Sequence, residues 1–322
     1  MTKPAILLTR RWPKQVEDKL APLYEVTLNP DDQPLDKAAL VEAMQRFDAI
    51  CPTVSDKIDA DILSVPNARV RIVASYGVGY DHIDIAAAHA AGIAVTNTPG
   101  VLTDTTAELA LLLMLMVSRR AGEGERELRE GRWTGWRPTH LMGTSLSGKL
   151  LGLVGFGRIA KATAQRARAA LGMNIAYFSR NPAPDDTLEF EAEFVPSLAQ
   201  LAERADVLSL HCPGGAATRH LINADILSRM KPGAFLINTA RGSVVDEAAL
   251  AEACACGQIG GAGLDVFERE PLVNERLIGL ESVVLLPHLG SATIETRTEM
   301  GMRVAANLDS FFAGQEPPDR IR

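Results

Sequence analysis

The feature that most constrains the fold is a glycine turn at mid-chain, Gly155-Phe-Gly157. An apolar run precedes it at residues 150–154, and small residues with helical spacing follow it at Ala160, Ala164 and Ala167. A strand, a tight glycine turn and a helix in this order are typical of a dinucleotide-binding unit, in which the pyrophosphate lies at the helix N-terminus. The alternative is an ordinary strand-to-helix turn, because so short a motif is a weak signal by itself. The position of the turn implies that the first half of the chain forms something else.

The length of the chain and the order of its apolar segments indicate two domains. At 322 residues it exceeds one typical domain. On both sides of the glycine turn, short apolar segments alternate with segments of helical periodicity. Such alternation predicts parallel, doubly wound sheets. We therefore predict an α/β fold, in which a Rossmann-type cofactor domain at residues 100–290 is inserted in a flavodoxin-like substrate domain formed by residues 1–99 and 291–322.

Composition and charge argue against several classes of protein. The net charge of −7 is unlike that of a nucleic-acid binder, which is usually basic. The longest apolar candidate, residues 109–117, is too short to span a bilayer, and Arg10 and Arg11 end the first apolar run too early for a signal peptide. The four cysteines lack zinc-loop spacing, so they predict free thiols, no metal site and a reducing, cytoplasmic compartment. We expect neither a nucleic acid nor a membrane as partner.

A mixed segment at residues 120–147 lies between the two predicted domains. It contains a charged stretch at residues 123–132, followed by Trp133 and Trp136. Aromatic side chains concentrate in the cores of protein interfaces. We therefore predict that this segment is a dimerisation arm and that the protein is a homodimer. The alternative is that the arm packs on its own subunit.

The residues that end the second strand after the glycine turn indicate the choice of cofactor. An NAD site usually places Asp or Glu there, to bind the ribose 2′-hydroxyl. This chain has Ser179, Arg180 and Asn181 instead, and an Arg can pair with a 2′-phosphate. The pattern favours NADP(H), with NAD(H) possible, unless Arg180 simply faces solvent. Asp185 and Asp186 lie farther along the chain and are predicted to be loop residues.

Three polar residues, Arg241, Glu270 and His288, each follow a predicted strand of the second sheet. Because strand ends of a parallel sheet meet at one crevice, these side chains can lie close together. There a charged His can donate a proton to a carbonyl oxygen, and a carboxylate beside it favours the charged imidazole. An Arg can hold a substrate carboxylate and stabilise negative charge on oxygen. Taken singly, the alternatives are an ion pair, a loop charge and a hydrogen-bonded strand-end His.

In the first domain, a second glycine turn, Gly77-Val-Gly79, follows a predicted strand. Ligands bind outside the carboxyl ends of such strands, and exposed backbone N–H groups there can bind a carboxylate. A plain turn is the equal alternative.

The chain as a whole resembles the D-isomer-specific 2-hydroxyacid dehydrogenase family, and the similarity extends over about residues 50–310. The matching stretches are Tyr76-Gly-Val-Gly-Tyr-Asp, Thr106-Ala-Glu, Gly155-Phe-Gly-Arg-Ile, Met230-Lys-Pro-Gly-Ala, Asn238-Thr-Ala-Arg-Gly, Gly263-Leu-Asp-Val-Phe, Glu270-Pro and Leu286-Pro-His-Leu-Gly-Ser-Ala-Thr. Several motifs in the order of the family are far more specific than any one of them.

The resemblance implies a role for each of these motifs. It implies that Arg241, Glu270 and His288 are the catalytic residues. The implied substrate contacts are Tyr76, Gly77, Val78 and Gly79, together with Arg241 and His288. The implied cofactor contacts are Thr106, Gly155, Phe156, Gly157, Arg158, Ile159, Ser179, Arg180, Cys212, Thr239, Ala240, Asp265 and Gly290.

Within the family, the chain is most similar to the glyoxylate/hydroxypyruvate reductases, whose use of NADPH fits Ser179-Arg180 and whose dimerisation loop fits the arm. We therefore predict NADPH-dependent reduction of glyoxylate or hydroxypyruvate to the D-2-hydroxy acid. One alternative is an NAD-dependent dehydrogenase of another D-2-hydroxy acid, such as phosphoglycerate. Another is a nucleotide-sensing protein that resembles the corepressors of this family. The sequence leaves open which 2-oxo acid is preferred and whether Trp136 reaches the site of a partner.

Overall fold

The structure is a computed structural model that describes residues 3–183 and 190–322. The predicted loop residues Asp185 and Asp186 lie outside the described residues. The chain divides into two compact units. The first comprises Met1–Leu102 and Ser291–Arg322, and the second comprises Thr103–Gly290.

Strands and helices alternate along both units. The strands are β1 (Ala5–Leu8), β2 (Glu25–Leu28), β3 (Ala49–Cys51), β4 (Ile72–Ala74), β5 (Ala94–Thr96), β6 (Leu150–Val154), β7 (Asn174–Phe178), β8 (Glu193–Phe194), β9 (Val207–Leu210), β10 (Phe235–Asn238), β11 (Gly261–Leu264) and β12 (Val283–Leu285). The helices are α1 (Lys14–Leu20), α2 (Lys37–Arg46), α3 (Ala60–Leu63), α4 (Ile85–Ala90), α5 (Thr103–Ser118), α6 (Ala121–Arg129), α7 (Arg158–Leu171), α8 (Leu198–Arg204), α9 (Ala224–Arg229), α10 (Glu247–Ala255), α11 (Glu275–Ile278) and α12 (Ile294–Phe312).

The first unit is built on a parallel sheet in the order β2-β1-β3-β4-β5. This is the flavodoxin-like order. The central strands are apolar and buried on both faces, as the covering helices of a parallel sheet require. Helix α12 returns from the end of the chain to this unit, where the Tyr24 hydroxyl donates to Asp309 Oδ1 at 2.6 Å. It packs closely on α1, since a Cβ added at Gly301 would lie 2.7 Å from Val16 Cγ2.

The second unit has a parallel sheet in the order β12-β11-β10-β9-β6-β7-β8. The chain starts this sheet in the middle, at β6, builds outward to β8 and then crosses to β9. The strand order therefore reverses between β6 and β9, and a crevice opens there outside the carboxyl ends of the strands. The predicted fold class, two α/β domains with parallel sheets, is confirmed.

Helix α6 differs from what the sequence indicated, which was only a charged segment in the arm. Gly122 and Gly124 are poor helix formers. Their lack of side chains allows close contacts, because an added Cβ at Gly124 would lie 3.3 Å from Leu141 Cδ1. Arg126 also forms an ion pair with Glu281, which lies between α11 and β12. Tertiary contacts thus stabilise a helix that local propensity does not predict.

No helix in the described part of the chain is both long enough and apolar enough to cross a lipid bilayer.

Candidate active site

The predicted cofactor residues of the second unit lie along one edge of its sheet. They follow the carboxyl ends of β6 (Gly155, Phe156, Gly157, Arg158 and Ile159), β7 (Ser179 and Arg180), β9 (Cys212), β10 (Thr239 and Ala240), β11 (Asp265) and β12 (Gly290), and Thr106 lies on α5. Parallel strands place all their carboxyl ends at the same edge, which is where dinucleotides bind in this type of sheet. The edge includes the crevice between β6 and β9.

The glycine turn leaves room for a pyrophosphate. Gly155 has a φ of +88°, and an added Cβ would lie 2.8 Å from the backbone nitrogen of Cys212. Only glycine fits both constraints. Gly157 is the N-cap of α7, and, apart from its neighbours in the chain, no described residue has an atom within 4 Å of the position that its Cβ would take. Among the described residues no side chain caps this 14-residue helix, so the N–H groups of its first turn are available to bind a phosphate.

One of the predicted cofactor contacts, Thr239, has a buried hydroxyl group. Thr239 Oγ1 is buried, and no hydrogen-bond partner for it exists among the residues described. Buried polar groups are normally hydrogen-bonded, so such an atom indicates a partner from outside the chain. Together with the open helix end at Gly157, this hydroxyl fits a bound dinucleotide. Thr106 is different, because its hydroxyl already donates to the Gly290 carbonyl at 3.1 Å.

Asp265 holds the loop that carries His288. Its side chain is 1% exposed, and its two carboxylate oxygens accept hydrogen bonds from the N–H groups of Leu289 at 2.6 Å and Gly290 at 2.8 Å. Its carbonyl accepts from the N–H of His288 at 2.9 Å. Burial raises the pKa of Asp265 to about 6, although the two N–H groups and His288 act in the opposite direction. Its contacts in the structure are thus with the loop after β12.

His288 and Glu270 form a hydrogen-bonded pair. His288 Nδ1 lies 2.8 Å from Glu270 Oε2, and each side chain is 34% exposed. Glu270 Oε1 accepts a second hydrogen bond from the N–H of Phe267 at 3.0 Å. Burial alone would raise the pKa of Glu270, but His288, the Phe267 N–H and the positive charge of Arg241 lower it below the ordinary value. Glu270 is therefore held as an anion beside the imidazole.

The backbone of His288 adopts an unusual conformation, with a φ of +55°. A residue with a side chain is uncommon in this left-handed region, and such residues cluster at functional sites. Because Nδ1 is engaged by Glu270, Nε2 is the ring nitrogen from which His288 can donate a proton to a substrate.

Arg241 is positioned by a side chain at the end of β10. Asn238 Nδ2 donates to the Arg241 carbonyl at 2.9 Å, and Asn238 Oδ1 accepts from the N–H of Ala240 at 3.0 Å. One guanidinium nitrogen of Arg241 donates to the Ala240 carbonyl at 2.8 Å. The structure thus brings together predicted catalytic residues that follow three neighbouring strands, β10, β11 and β12.

The predicted substrate turn lies in the first unit and is described by itself. The Gly77 carbonyl accepts from the N–H of Thr98 at 2.9 Å, and the Val78 carbonyl accepts from Asn97 Nδ2 at 2.8 Å. Within residues 3–183 and 190–322, no acceptor faces the N–H groups of Val78 and Gly79. The Tyr76 hydroxyl donates to the Arg297 carbonyl. The carboxylate-binding role of this turn stays a prediction.

Sequence reasoning did not identify Gly242 and Glu247, which connect the segment after Arg241 to the loop that carries Glu270. For Gly242 the signal was its place at the end of the family stretch Asn238-Thr-Ala-Arg-Gly, and Glu247 gave no signal. Neither the close contact of Gly242 nor the burial of Glu247 can be read from the sequence.

A sequence profile of the D-isomer specific 2-hydroxyacid dehydrogenase NAD binding domain matches residues 111–290. The chain belongs to this dehydrogenase family. A glyoxylate reductase of Thermococcus litoralis is 46% identical to this dehydrogenase over 324 residues, which cover 99% of the chain and 97% of the relative. The predicted family and enzyme class are therefore confirmed, and the protein is an oxidoreductase.

Solved structures of similar proteins agree with this assignment. A D-isomer specific 2-hydroxyacid dehydrogenase from a Polaromonas species has 34% identity and a TM-score of 0.92, over 99% of this dehydrogenase and 100% of that chain. An NADPH-dependent glyoxylate/hydroxypyruvate reductase of Sinorhizobium meliloti, solved with NADP and malonate, has 39% identity and a TM-score of 0.88, over 99% and 97% of the two chains.

Proposed function

We propose that this dehydrogenase reduces a small 2-oxo acid, glyoxylate or hydroxypyruvate, to the D-2-hydroxy acid with NADPH. The observation that carries the proposal is the hydrogen bond of 2.8 Å between His288 Nδ1 and Glu270 Oε2, in the same unit as the glycine turn at Gly155. The names of the relatives support the substrate class, since the protein of Thermococcus litoralis is a glyoxylate reductase. The reductase of Sinorhizobium meliloti extends this support to hydroxypyruvate and NADPH.

When bound, the nicotinamide cofactor supplies a hydride to the keto carbon of the substrate. His288 donates a proton from Nε2 to the keto oxygen, which becomes the hydroxyl group. The anionic Glu270 keeps the imidazole oriented and favours its charged form. The guanidinium of Arg241 stabilises negative charge at the substrate, and we propose that the N–H groups of the Gly77–Gly79 turn bind the substrate carboxylate.

We further propose that NADP(H) is the preferred cofactor and that NAD(H) can also bind. The end of β7 supports this proposal, because Ser179 and the exposed Arg180 stand where an acidic residue would repel a 2′-phosphate. The glycine turn and α7 serve either cofactor equally, so the choice depends on the residues after β7.

We also propose a homodimer formed through the arm. Large apolar side chains are exposed there, among them Trp136 at 83%, Met142 at 66% and Leu128 at 61%. Exposed apolar clusters of this kind mark protein interfaces. Light scattering should show a dimer that Trp136→Ser weakens, whereas Ile278→Ser, at an apolar position that is 61% exposed and lies outside the arm, should leave it intact. A wild-type monomer at micromolar concentration would refute the proposal.

The cytoplasmic compartment also remains a prediction, supported by four free cysteines.

The decisive experiment follows the absorbance of NADPH with glyoxylate and with hydroxypyruvate. We expect wild type to consume NADPH, and His288→Ala to lower kcat by about 10²- to 10⁴-fold, the usual contribution of a general acid. His89→Gln is the matched control, because His89 is an exposed histidine of the first unit. Equal rates for wild type and His288→Ala would refute the proton-donor role. NADPH binding without turnover of either acid would instead favour a nucleotide-sensing protein.

A further inference from the structure

Glu247 is a buried carboxylate at the start of α10. Glu247 is only 8% exposed, and its Oε1 accepts a hydrogen bond from the N–H of Glu268 at 2.6 Å. The backbone N–H of Asn274 also lowers the pKa of this carboxylate. Glu247 is therefore hydrogen-bonded to the backbone before Glu270, at residue 268, and stabilised electrostatically by the backbone after it, at residue 274.

The contact with Glu268 acts directly on the peptide that orients Glu270. The N–H of Phe267 donates to Glu270 Oε1 at 3.0 Å, and the next N–H along the chain, that of Glu268, donates to Glu247. Two successive N–H groups thus bind two carboxylates. A shift of this short segment would change the hydrogen bond that fixes Glu270, and with it the position of Oε2 beside His288.

Glu247 also belongs to the segment that follows Arg241. The chain passes from β10 through Arg241 and a short turn, Gly242–Val244, and then enters α10. Asp246 caps this helix by accepting a hydrogen bond from the N–H of Ala249 at 3.0 Å, which fixes the first turn. Glu247 thereby links the segment that carries Arg241 to the loop that carries Glu270.

The Glu247 carboxylate depends on these backbone donors. Within the described ranges no Lys, Arg or His forms an ion pair with it, whereas the neighbouring Glu268 carboxylate accepts hydrogen bonds from Arg219 at 2.7 Å and His220 at 2.8 Å. Burial raises the pKa of Glu247, and the nearby Glu268 acts in the same direction. A buried carboxylate that is stabilised by backbone N–H groups constrains the backbone in return, because leaving either group unpaired is unfavourable.

We propose that Glu247 is a positioning residue for the reduction, one that holds residues 267–274 so that Glu270 stays hydrogen-bonded to His288. The inference rests on the proposed function, because catalytic rates are its main readout. Its role requires no contact with the substrate or the cofactor. It acts through the backbone of Glu268.

Three variants separate the reach of the side chain from its charge. Glu247→Ala removes the acceptor, Glu247→Gln keeps an uncharged acceptor oxygen at the same reach, and Glu247→Asp keeps the charge but is one methylene shorter. The matched control is Glu252→Ala, on the same helix, where Glu252 is exposed and paired with Arg276.

We expect Glu247→Ala to lower kcat by about 10- to 100-fold, as small misplacements of catalytic groups do, with little change in the KM for NADPH. The pH at which kcat/KM falls on the acid side should shift upward, because a displaced Glu270 loses the contacts with His288 and the Phe267 N–H that lower its pKa. Glu247→Gln should retain more activity than Glu247→Asp, and Glu252→Ala should match wild type.

A folded Glu247→Ala protein with the kcat and pH profile of wild type would overturn the inference. So would equal losses of kcat and NADPH affinity that follow a lower Tm, since these indicate a purely structural role. If Glu247→Ala does not fold, the activities of Glu247→Gln and Glu247→Asp decide, and an Asp variant as active as the Gln variant overturns the inference.

Failure of the proposed function is distinguishable, because wild type would then reduce no 2-oxo acid. In that case the NMR titration of the Glu270 carboxyl, compared between wild type and Glu247→Gln and Glu247→Asp, still tests the arrangement. The inference requires a larger change in Asp than in Gln.

Discussion

Replacing Gly242 by Ala should displace the loop that carries Glu270. A Cβ added at Gly242 would lie 1.8 Å from the carbonyl carbon of Phe267, 2.1 Å from its oxygen and 2.3 Å from the nitrogen of Glu268. All three are backbone atoms, so no side-chain rotation relieves the contact. The Gly242 φ is not in the left-handed region, and Ala is therefore compatible with the backbone conformation. The effect of the substitution is steric.

The size of the displacement follows from these distances. Ordinary contact of a Cβ begins at 3.4 Å, so the two segments must separate by about 1.5 Å. Overpacking of this kind costs about 1–3 kcal/mol of stability. A misplacement of about 1 Å in a catalytic group can lower the rate by about 10²-fold. Because residues 267–268 orient Glu270, we expect a fall in kcat of about that size.

The assay compares kcat, KM and Tm of Gly242→Ala with those of wild type and of Gly279→Ala. Gly279 is the matched control, because its nearest atom to an added Cβ is 3.7 Å away and its φ is −76°. We expect Gly242→Ala to fold with a Tm lowered by about 2–4 °C for each kcal/mol lost, and Gly279→Ala to behave as wild type. Unchanged kcat and Tm in Gly242→Ala would refute the reasoning, as would a loss confined to NADPH affinity.

Three further predictions follow from the same unit. Arg180→Asp should lower the ratio of kcat/KM for NADPH over NADH by about five- to tenfold, since an exposed charge pair contributes only modestly to binding. An unchanged ratio, or the same change in the control Arg229→Asp, contradicts the cofactor proposal. Thr239→Val should weaken NADPH binding by about three- to tenfold in a fluorescence titration without lowering Tm, because it removes a hydroxyl that has no hydrogen-bond partner in residues 3–183 and 190–322; equal dissociation constants contradict it. Asp265 has a pKa raised to about 6, so the folded state binds its proton more tightly than the unfolded state. Its contribution to the free energy of unfolding should therefore fall as pH rises from about 4 to about 6. Denaturant titrations across that range should show that the free energy of unfolding of wild type, minus that of Asp265→Asn, falls as the pH rises. A constant difference contradicts the prediction.

The sequence predicted those parts of the site that depend only on a short stretch of neighbouring residues. An apolar run that ends in Gly155-Phe-Gly157 can form a strand and a tight turn without reference to distant residues. The same holds for Arg241 and His288, each of which follows a strand. Parallel topology then places all the strand ends at one edge, so their neighbourhood follows from the fold class alone. The fold was predictable for the same reason, since strand and helix patterns alternate along the chain.

The remaining features depend on contacts between segments that are distant in sequence. Arm helix α6 is stabilised by Glu281 and Leu141, which no local pattern associates with its glycines. Asp265 shows that a sequence motif also does not predict the hydrogen-bond partners of a single residue. The family motif implied that Asp265 is a cofactor contact, whereas the structure shows its carboxylate accepting hydrogen bonds from the N–H groups of Leu289 and Gly290. The identity of a hydrogen-bond partner is set by the packing of two loops, and a motif in one loop does not contain it.

In the proposed site, the residues that follow strands have a different role from the residues that connect the loops. Arg241, Glu270 and His288 are the proposed catalytic residues, and each is recognisable because it follows a strand. Their mutual geometry is set by Gly242, Glu247 and Asp265, which join the segments after β10, β11 and β12 through backbone atoms. Hydrogen bonds to the backbone fix a loop irrespective of its side chains, so Glu270 and His288 can be held 2.8 Å apart although neither lies on a strand or a helix. A variant that keeps all three catalytic side chains but loses one of these backbone contacts should therefore lose rate before it loses cofactor affinity.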